Sequence, residues 1–193
     1  MIELCVDLSS KRGSVALGQN GQCIDELFLP VDFKHCEEIM PAIDTLLTRN
    51  SLALDKVQSL FCTIGPGSFT GLRIALSTLK ALSLSLNLPI GTFHAAELQA
   101  LSMAVDEGEI VEIVSQLAQS NFLISKFERD GMGLRFLEDR YSPSQPEKGL
   151  KRTECSARLL AEFGSLARLK HVFQNTDEII ALTPLYFGAS RFG

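Results

Sequence analysis

The chain has 193 residues, a formal net charge of −5, 46% hydrophobic residues and 21% charged residues. This composition is typical of a globular protein with a sizeable core. The acidic balance argues against a stand-alone nucleic-acid-binding protein, which needs a basic face for the phosphates. The five cysteines form no C-x-x-C pair, so we expect buried free thiols and no disulfide framework.

The N-terminal sequence MIELCVDLSS lacks the basic and long apolar regions of a signal peptide. Lys80, several serines and Asn87 interrupt the longest apolar run, residues 74–90, which is therefore no membrane span. These features predict a cytoplasmic protein without membrane contact.

The first thirty residues predict a three-stranded antiparallel meander. Apolar runs at Ile2–Leu8, Ser14–Leu17 and Cys23–Leu29 are separated by turn signals. One of them is Asn20-Gly21, and an Asn-Gly step between two apolar runs is a strong hairpin signal.

The next seventy residues alternate helices with buried strands. Helical spacing of apolar residues predicts a helix over Phe33–Arg49, with Pro41 as a kink or a start-up turn. The later segments are a strand at Val57–Ile64, a helix at Thr70–Leu86, a strand at Leu88–Phe93 and a helix at His94–Val105. The order is therefore β-β-β-α-β-α-β-α.

The remaining residues carry weaker patterns. Alternation predicts three further strands, and two prolines among polar residues predict a loop. A short helix and an extended end, residues 182–193, follow. The segments are strands at Ile110–Leu117, Phe122–Glu128 and Leu134–Asp139, a loop at Ser142–Gly149 and a helix at Ser156–Phe163.

A glycine-rich stretch, TIGPGSFTGLRIALSTLKALS, occupies residues 63–83. It fails the Walker template because Thr70 stands where the second glycine belongs and no lysine follows. It fails the Rossmann template at the same position, and it follows the fourth strand instead of the first. Two interpretations stay open. The favoured one is a tight turn capped by Ser68 or Thr70; the other is anion binding at the helix N-terminus, with Arg73 as a further donor.

We therefore assign this glycine loop a structural role first. Its members are Gly65, Pro66, Gly67, Ser68, Thr70 and Gly71.

The helix over Thr70–Leu86 is apolar on more than one side, and such a helix is normally buried on both sides. Its outer side faces either the protein's own second lobe or another chain. One face consists of Leu72, Ala75, Leu76, Leu79, Leu82 and Leu86, and the other of Ile74, Ser77, Ala81, Leu84 and Ser85.

Several segments resemble one family. GPGSFTGLRIAL, residues 65–76, resembles the signature of the TsaB (YeaZ) family of tRNA threonylcarbamoyladenosine biosynthesis proteins. Further similarity lies in CVDLSSKRGSVAL (5–17), KHCEEIMPAI (34–43), LNLPIGTFHAAELQAL (86–101) and PLYF (184–187). The ordered match covers the first hundred residues well and the remainder poorly.

The resemblance implies an α/β protein with the actin/Hsp70-like (ASKHA) fold, whose two lobes have β-β-β-α-β-α cores. Residues 1–105 would form the N-terminal, interface-bearing lobe and residues 106–193 a shortened C-terminal lobe. Where the family opens its second lobe with an Asp-Ala-Arg-x-x-Glu-Val-Tyr stretch, residues 110–127 do not follow that pattern.

The same resemblance implies a non-catalytic subunit that supports a TsaD-like catalytic subunit. That complex makes N6-threonylcarbamoyladenosine at position 37 of ANN-decoding tRNAs. A TsaE-like ATPase would join it, tRNA would be contacted only indirectly, and the chain alone would form a homodimer. The isolated chain would carry no cofactor, and ATP or ADP would bind only in the complex.

In this family the partner packs on two N-lobe helices, which here are residues 33–49 and 70–86. The interface residues that this implies are His35, Ile39, Ile43, Leu72, Arg73, Leu76, Ser77, Leu79, Lys80, Ala81 and Leu84.

Two enzymatic functions are alternatives. An ATP-dependent phosphotransferase or ATPase of the same fold could use Asp7, Ser9 and Ser10 in a first phosphate turn. However, neither Asp130 nor Asp139 has the surroundings of a second one.

The other alternative, a peptidase, needs a metal or an activated nucleophile. His35, His94 and His171 are far apart and form no metal-binding pair. The sequence therefore predicts no catalytic, cofactor-binding or metal-binding residue.

Overall fold

The structure is a computed structural model. It describes residues 1–30, 35–103, 106–118, 121–131, 133–143, 155–167 and 172–185, except for the side chains of residues 35, 118, 164–167 and 172. Within these ranges no helix is both long and apolar enough to cross a membrane.

Nine strands and five α-helices are seen in this part of the chain. The first half contains β1 (Ile2–Asp7), β2 (Ser14–Gln19), β3 (Gln22–Phe28), α1 (His35–Arg49), β4 (Val57–Gly65), α2 (Phe69–Leu86), β5 (Ile90–His94) and α3 (Ala95–Leu101). The second half contains β6 (Ile110–Ala118), β7 (Asn121–Asp130), β8 (Gly133–Ser142), α4 (Ala157–Ala167), β9 (Val172–Phe173) and α5 (Thr176–Ala181).

The strands form two sheets. The larger has the order β3-β2-β1-β4-β5-β9, and the smaller has the order β6-β7-β8. Strands β1, β2 and β3 form the predicted antiparallel meander, and β4 and β5 continue the sheet parallel to β1. The smaller sheet is antiparallel throughout.

Both faces of the larger sheet are covered, which explains why its central strands are almost continuously apolar. Helices α1, α2 and α5 pack on one face, against residues such as Leu4 and Leu60. Helices α3 and α4 pack on the other face, against Cys5 and Phe61. Helix α3 also contacts the smaller sheet through Ala96 and Ala100.

Three late elements complete the larger sheet and its helical layers. Helix α4 packs on β1, β2 and β3, strand β9 pairs with β5, and α5 packs on α2. Residues from the predicted second lobe therefore contribute to the first sheet, and the division into 1–105 and 106–193 stays a prediction.

The element order predicted for the first hundred residues is confirmed, although α3 is shorter than the predicted helix. Helix α1 continues through Pro41. The sequence pattern did not predict strand β9 or helix α5. The predicted loop at 144–149, the start of the first helix at Phe33 and the PLYF residues Tyr186 and Phe187 lie outside the described residues.

Candidate functional site

The glycine loop joins β4 to α2 and lies directly against the turn that follows β1. The Ser68 amide donates a 2.7 Å hydrogen bond to the Ser9 carbonyl oxygen. A Cβ atom at Gly67 would lie 2.3 Å from that same oxygen, and a Cβ atom at Gly71 would lie 2.0 Å from the Leu8 carbonyl oxygen. Neither position has room for a side chain, which supports a structural role for these glycines.

Ser68 begins helix α2 as its N-cap. Its side-chain oxygen accepts a hydrogen bond from the Gly71 amide at 3.2 Å, and its carbonyl oxygen accepts one from the Leu72 amide. Thr70, the other capping candidate, lies within the first turn and is exposed. At the other end, Asn87 closes the helix in the left-handed conformation.

The C-terminal segment contacts the start of the same loop. The Leu185 amide donates a 2.7 Å hydrogen bond to the carbonyl oxygen of Ile64. A Cβ atom at Gly65 would lie 2.9 Å from the Leu185 carbonyl oxygen. The loop is therefore packed against the first turn on one side and against residues near 185 on the other.

Asp7 is fully buried at the end of β1. Its Oδ1 atom accepts hydrogen bonds from the Ser9 amide and from the Thr63 hydroxyl. The Ser10 hydroxyl, in turn, donates to the Arg12 carbonyl oxygen at 3.0 Å. Asp7 and Ser10, which a first phosphate turn would use, thus make hydrogen bonds to other residues of the chain.

The thiol of Cys155 also contacts the Asp7 carboxylate. Burial is the main cause that raises the pKa of this thiol well above its ordinary value, and the charge of Asp7 adds to it. The thiol therefore stays protonated beside the carboxylate. Sequence reasoning missed this residue, since nothing in the local pattern links position 155 to position 7.

Five of the predicted interface residues face the protein's own core, because helices α1 and α2 turn their most apolar sides toward the larger sheet. A side chain buried in this way cannot contact a partner, so these five are removed from the interface as a correction. They are Ile39, Ile43, Leu72, Leu76 and Leu79.

A second group of predicted interface residues lies on the exposed side of α2. Arg73, Ser77, Ala81 and Leu84 are exposed and follow each other at intervals of four, four and three residues. They form one stripe, which we call the outer stripe. The Arg73 guanidinium lies 3.9 Å from the centre of the Phe69 ring, which is 54% exposed. His35 begins α1, but its side chain lies outside the described part of the structure.

Lys80 makes contacts that the sequence did not predict. Its ammonium group donates hydrogen bonds to the carbonyl oxygens of Ile180 at 2.6 Å and Leu182 at 2.8 Å. These carbonyls lie at the end of α5, where helix carbonyls lack partners and a positive charge is favourable. Lys80 thus holds α5 against α2.

The titratable groups form no metal site in the described ranges, where no three His, Cys, Asp or Glu side chains could together hold an ion. His94 lies at the N-cap of α3, and its ring meets that of Phe127 edge-on at 6.4 Å. Burial lowers the pKa of His94, while the charge of Asp139 opposes this shift.

A family model described as "TsaD: tRNA N6-adenosine threonylcarbamoyltransferase" matches residues 31–129. The chain belongs to this family. Several curated relatives carry the name tRNA threonylcarbamoyladenosine biosynthesis protein TsaB. The TsaB of Haemophilus influenzae is 34% identical over 106 residues, which cover 54% of this chain and 43% of that protein. The TsaB of Bacillus subtilis is 31% identical over 97 residues, which cover 50% of this chain and 42% of that protein.

The chain thus spans less than half the length of the curated TsaB proteins that it matches. Among solved structures, YeaZ from Pseudomonas aeruginosa is similar with a TM-score of 0.78 and 19% identity, over 96% of this chain and 99% of that one. The family model and the curated TsaB relatives confirm the predicted family resemblance. The likeness to the YeaZ structure and the sheet order confirm the predicted α/β fold.

Proposed function

We propose that the chain is a non-catalytic subunit that supports a TsaD-like catalytic subunit in the cytoplasm. The complex would make N6-threonylcarbamoyladenosine at position 37 of ANN-decoding tRNAs. The observation that carries this proposal is the match of residues 31–129 to the TsaD family, together with relatives named TsaB.

The arrangement around Asp7 supports a non-catalytic role. Its Oδ1 atom is used by Ser9 and Thr63, and the Cys155 thiol adds a third internal neighbour. The Cβ directions of Gly67 and Gly71 point at the Ser9 and Leu8 carbonyl oxygens, so the loop is packed on the protein's own backbone there.

The outer stripe is the surface that we propose for the partner. Ser77 and Ala81 are small, which lets another helix approach closely, since the distance between packed helices depends on the side chains between them. Leu84 is 44% exposed, and Met40 on the neighbouring helix α1 is 43% exposed. Leu84 and Met40 thus offer exposed apolar surface beside the small side chains of Ser77 and Ala81.

We extend the proposal to the other partners that the family resemblance implies. We expect a TsaE-like ATPase to join the complex, tRNA to be contacted only indirectly, and ATP or ADP to bind only in the complex. In the absence of the TsaD-like subunit, we expect two copies of the chain to pair through the outer stripe.

Charge substitutions in the outer stripe test the pairing. Ser77→Glu and Ala81→Glu would each place a carboxylate in a contact from which water is removed, and an unpaired charge in such a place costs several kcal/mol. Gln22→Glu, at an exposed position of β3, is the matched control. Size-exclusion chromatography with light scattering, alone and with the TsaD-like subunit, should show pairing for the wild type and the control only. Folded stripe variants that pair like the wild type would refute the proposed surface.

ATP turnover by the purified chain distinguishes the alternative function. A supporting subunit should show none. Turnover that persists through purification and disappears in Asp7→Ala protein that is still folded would establish the phosphotransferase or ATPase instead.

A further inference from the structure

Helix α2 lies between α1 and α5 on one face of the larger sheet and contacts both of them. Each of the three helices leaves a large apolar side chain at the surface. Met40 of α1 and Leu84 of α2 are exposed, and Ile180 of α5 is 58% exposed. Single apolar side chains are normal at a protein surface, whereas several on adjacent helices are typical of a docking site.

Lys80 places Ile180 beside the outer stripe. Its ammonium group bonds to the carbonyl oxygens of Ile180 and Leu182. On α2, Lys80 comes three residues after Ser77 and four residues before Leu84, and side chains at these intervals are neighbours on a helix surface. The backbone of Ile180 is therefore tied to the margin of the outer stripe.

The charge of Lys80 does not oppose an apolar contact at this place. Its ammonium group faces the carbonyl end of α5, where two carbonyl oxygens already accept its hydrogen bonds. Removing water from a charged group costs less free energy when protein atoms have taken over its hydrogen bonds. A partner can thus cover the boundary between α2 and α5 without leaving an unsatisfied cation there.

Carboxylates flank the apolar side chains on both outer helices. Asp44 follows Met40 by four residues on α1, and Asp177 precedes Ile180 by three residues on α5. Both are exposed, and within the described ranges neither forms an ion pair. A well-matched partner therefore has apolar side chains in the middle and lysine or arginine at the margins. Two copies of this chain would bring carboxylates together, so a different protein fits better.

We propose that the docking surface for the TsaD-like subunit extends from the outer stripe onto helix α5. Ile180 is an apolar anchor of this surface, and Lys80 is the residue that positions it. The subunit presents an apolar side chain to Ile180 and basic side chains to Asp44 and Asp177. This inference rests on the proposed function, since it adds to the surface proposed there for the same partner.

Ile180→Ala tests the anchor on the intact chain. Isothermal titration calorimetry with the TsaD-like subunit should give a Kd about tenfold higher than that of the wild type, because burial of the larger side chain is lost. Ile110→Ala is the control, since Ile110 is similarly exposed, at 53%, but lies on the smaller sheet. The Kd of this control should not change. Thermal unfolding should show that both variants are folded, since both side chains are exposed.

The positioning role of Lys80 is tested by combining two substitutions. Lys80→Met should raise the Kd in the wild-type background and have little effect in the Ile180→Ala background, because the side chain that Lys80 positions is then missing. A purely structural role would weaken binding by the same factor in both backgrounds. That result would overturn the assignment of Lys80 as the positioning residue.

The basic margins of the partner are tested by Asp44→Asn combined with Asp177→Asn. This double variant should bind more weakly than the wild type at low salt, and the difference should shrink at high salt, where charges are screened. Equal affinities at low salt would overturn the assignment of basic side chains to the partner.

Ala81→Glu, measured in the same titrations, separates failure of this inference from failure of the proposed function. If Ala81→Glu abolishes binding and Ile180→Ala binds like the wild type, the outer stripe is the docking surface and its extension onto α5 is overturned. If both folded variants bind like the wild type, the proposed surface as a whole is wrong.

Discussion

Ser68 and Ser9 are joined backbone to backbone, by a 2.7 Å hydrogen bond from the amide of the first to the carbonyl oxygen of the second. This bond links the start of helix α2 to the turn after β1. The direction of the helix that carries the outer stripe is thereby fixed to the central strand of the larger sheet. A substitution in the glycine loop should thus lower the stability of the fold. Partner binding should weaken as a consequence, because the outer stripe depends on the position of α2.

Gly67→Ala and Gly71→Ala should each lower the free energy of unfolding by about 2 kcal/mol or more. The added Cβ atom would meet the backbone of Ser9 or Leu8, which cannot move aside as a side chain can. Chemical denaturation of each variant measures the loss. Gly133→Ala is the control, because its Cβ atom would lie in ordinary contact with the Asp130 carbonyl oxygen, at 3.6 Å. Equal stability of all three variants would contradict the close packing.

Asp7→Ala should destabilise the protein by roughly 2–4 kcal/mol, since the Ser9 amide and the Thr63 hydroxyl would lose a buried acceptor. Thermal and urea unfolding measure the effect. Asp55→Ala removes only an exposed ion pair with Lys56 and should change stability by about 0.5 kcal/mol or less. A stable Asp7→Ala protein would show that this carboxylate does not support the fold.

Lys80→Met should loosen α5 while leaving the larger sheet intact. Methionine keeps much of the apolar stem but loses the two hydrogen bonds to the Ile180 and Leu182 carbonyls, which are worth about 1–3 kcal/mol together. Hydrogen exchange should accelerate in residues 176–185 and stay constant in β1. Lys56→Met, at an exposed position, should leave both regions unchanged. Unaltered exchange in 176–185 would mean that other contacts hold α5.

Acidification should destabilise the protein through His94. Burial lowers the pKa of this group in the folded state, so the unfolded chain takes up the proton first as pH falls below about 6.5. Because the unfolded state binds more protons in that window, stability falls with decreasing pH, by at most about 1.4 kcal/mol per pH unit for one group. Below the folded-state pKa this contribution becomes constant.

The variant His94→Phe keeps a ring against Phe127 and removes the titration. The difference in unfolding free energy between wild type and variant, measured from about pH 8 to pH 5, isolates the contribution of His94. A difference that does not change with pH would show that His94 has the same pKa in both states.

Local patterns were sufficient for most elements of the first hundred residues. The Asn20-Gly21 turn between apolar runs predicts the meander, and the spacing of Leu72, Ala75 and Leu79 places these residues on one face of α2. The pattern offers Ser68 or Thr70 as the cap of this helix, and in the structure it is Ser68. Each of these signals lies within a few residues of the structure that it determines.

The failures have one physical cause, since they depend on residues distant in the chain. Sequence alone placed Leu76 and Leu79 at the interface beside Ser77 and Ala81, although one residue of a helix corresponds to a rotation of about 100°. Only the sheet beneath α2 decides which of them point inward. Strand β9 is two residues long, too short for any periodic signal.

Helix α4 and strand β9, which come from the C-terminal part of the chain, can join the larger sheet only after most of the chain has been made. The bond between Ala157 and Ser14 joins residues 143 positions apart, and Ile90 pairs with Phe173. During synthesis, the face of the sheet that α4 covers stays exposed to water until those distant residues have left the ribosome. Proteins dominated by such long-range contacts fold slowly and expose apolar surface on the way. The nascent first sheet is thus the stage at which this chain is most prone to aggregate.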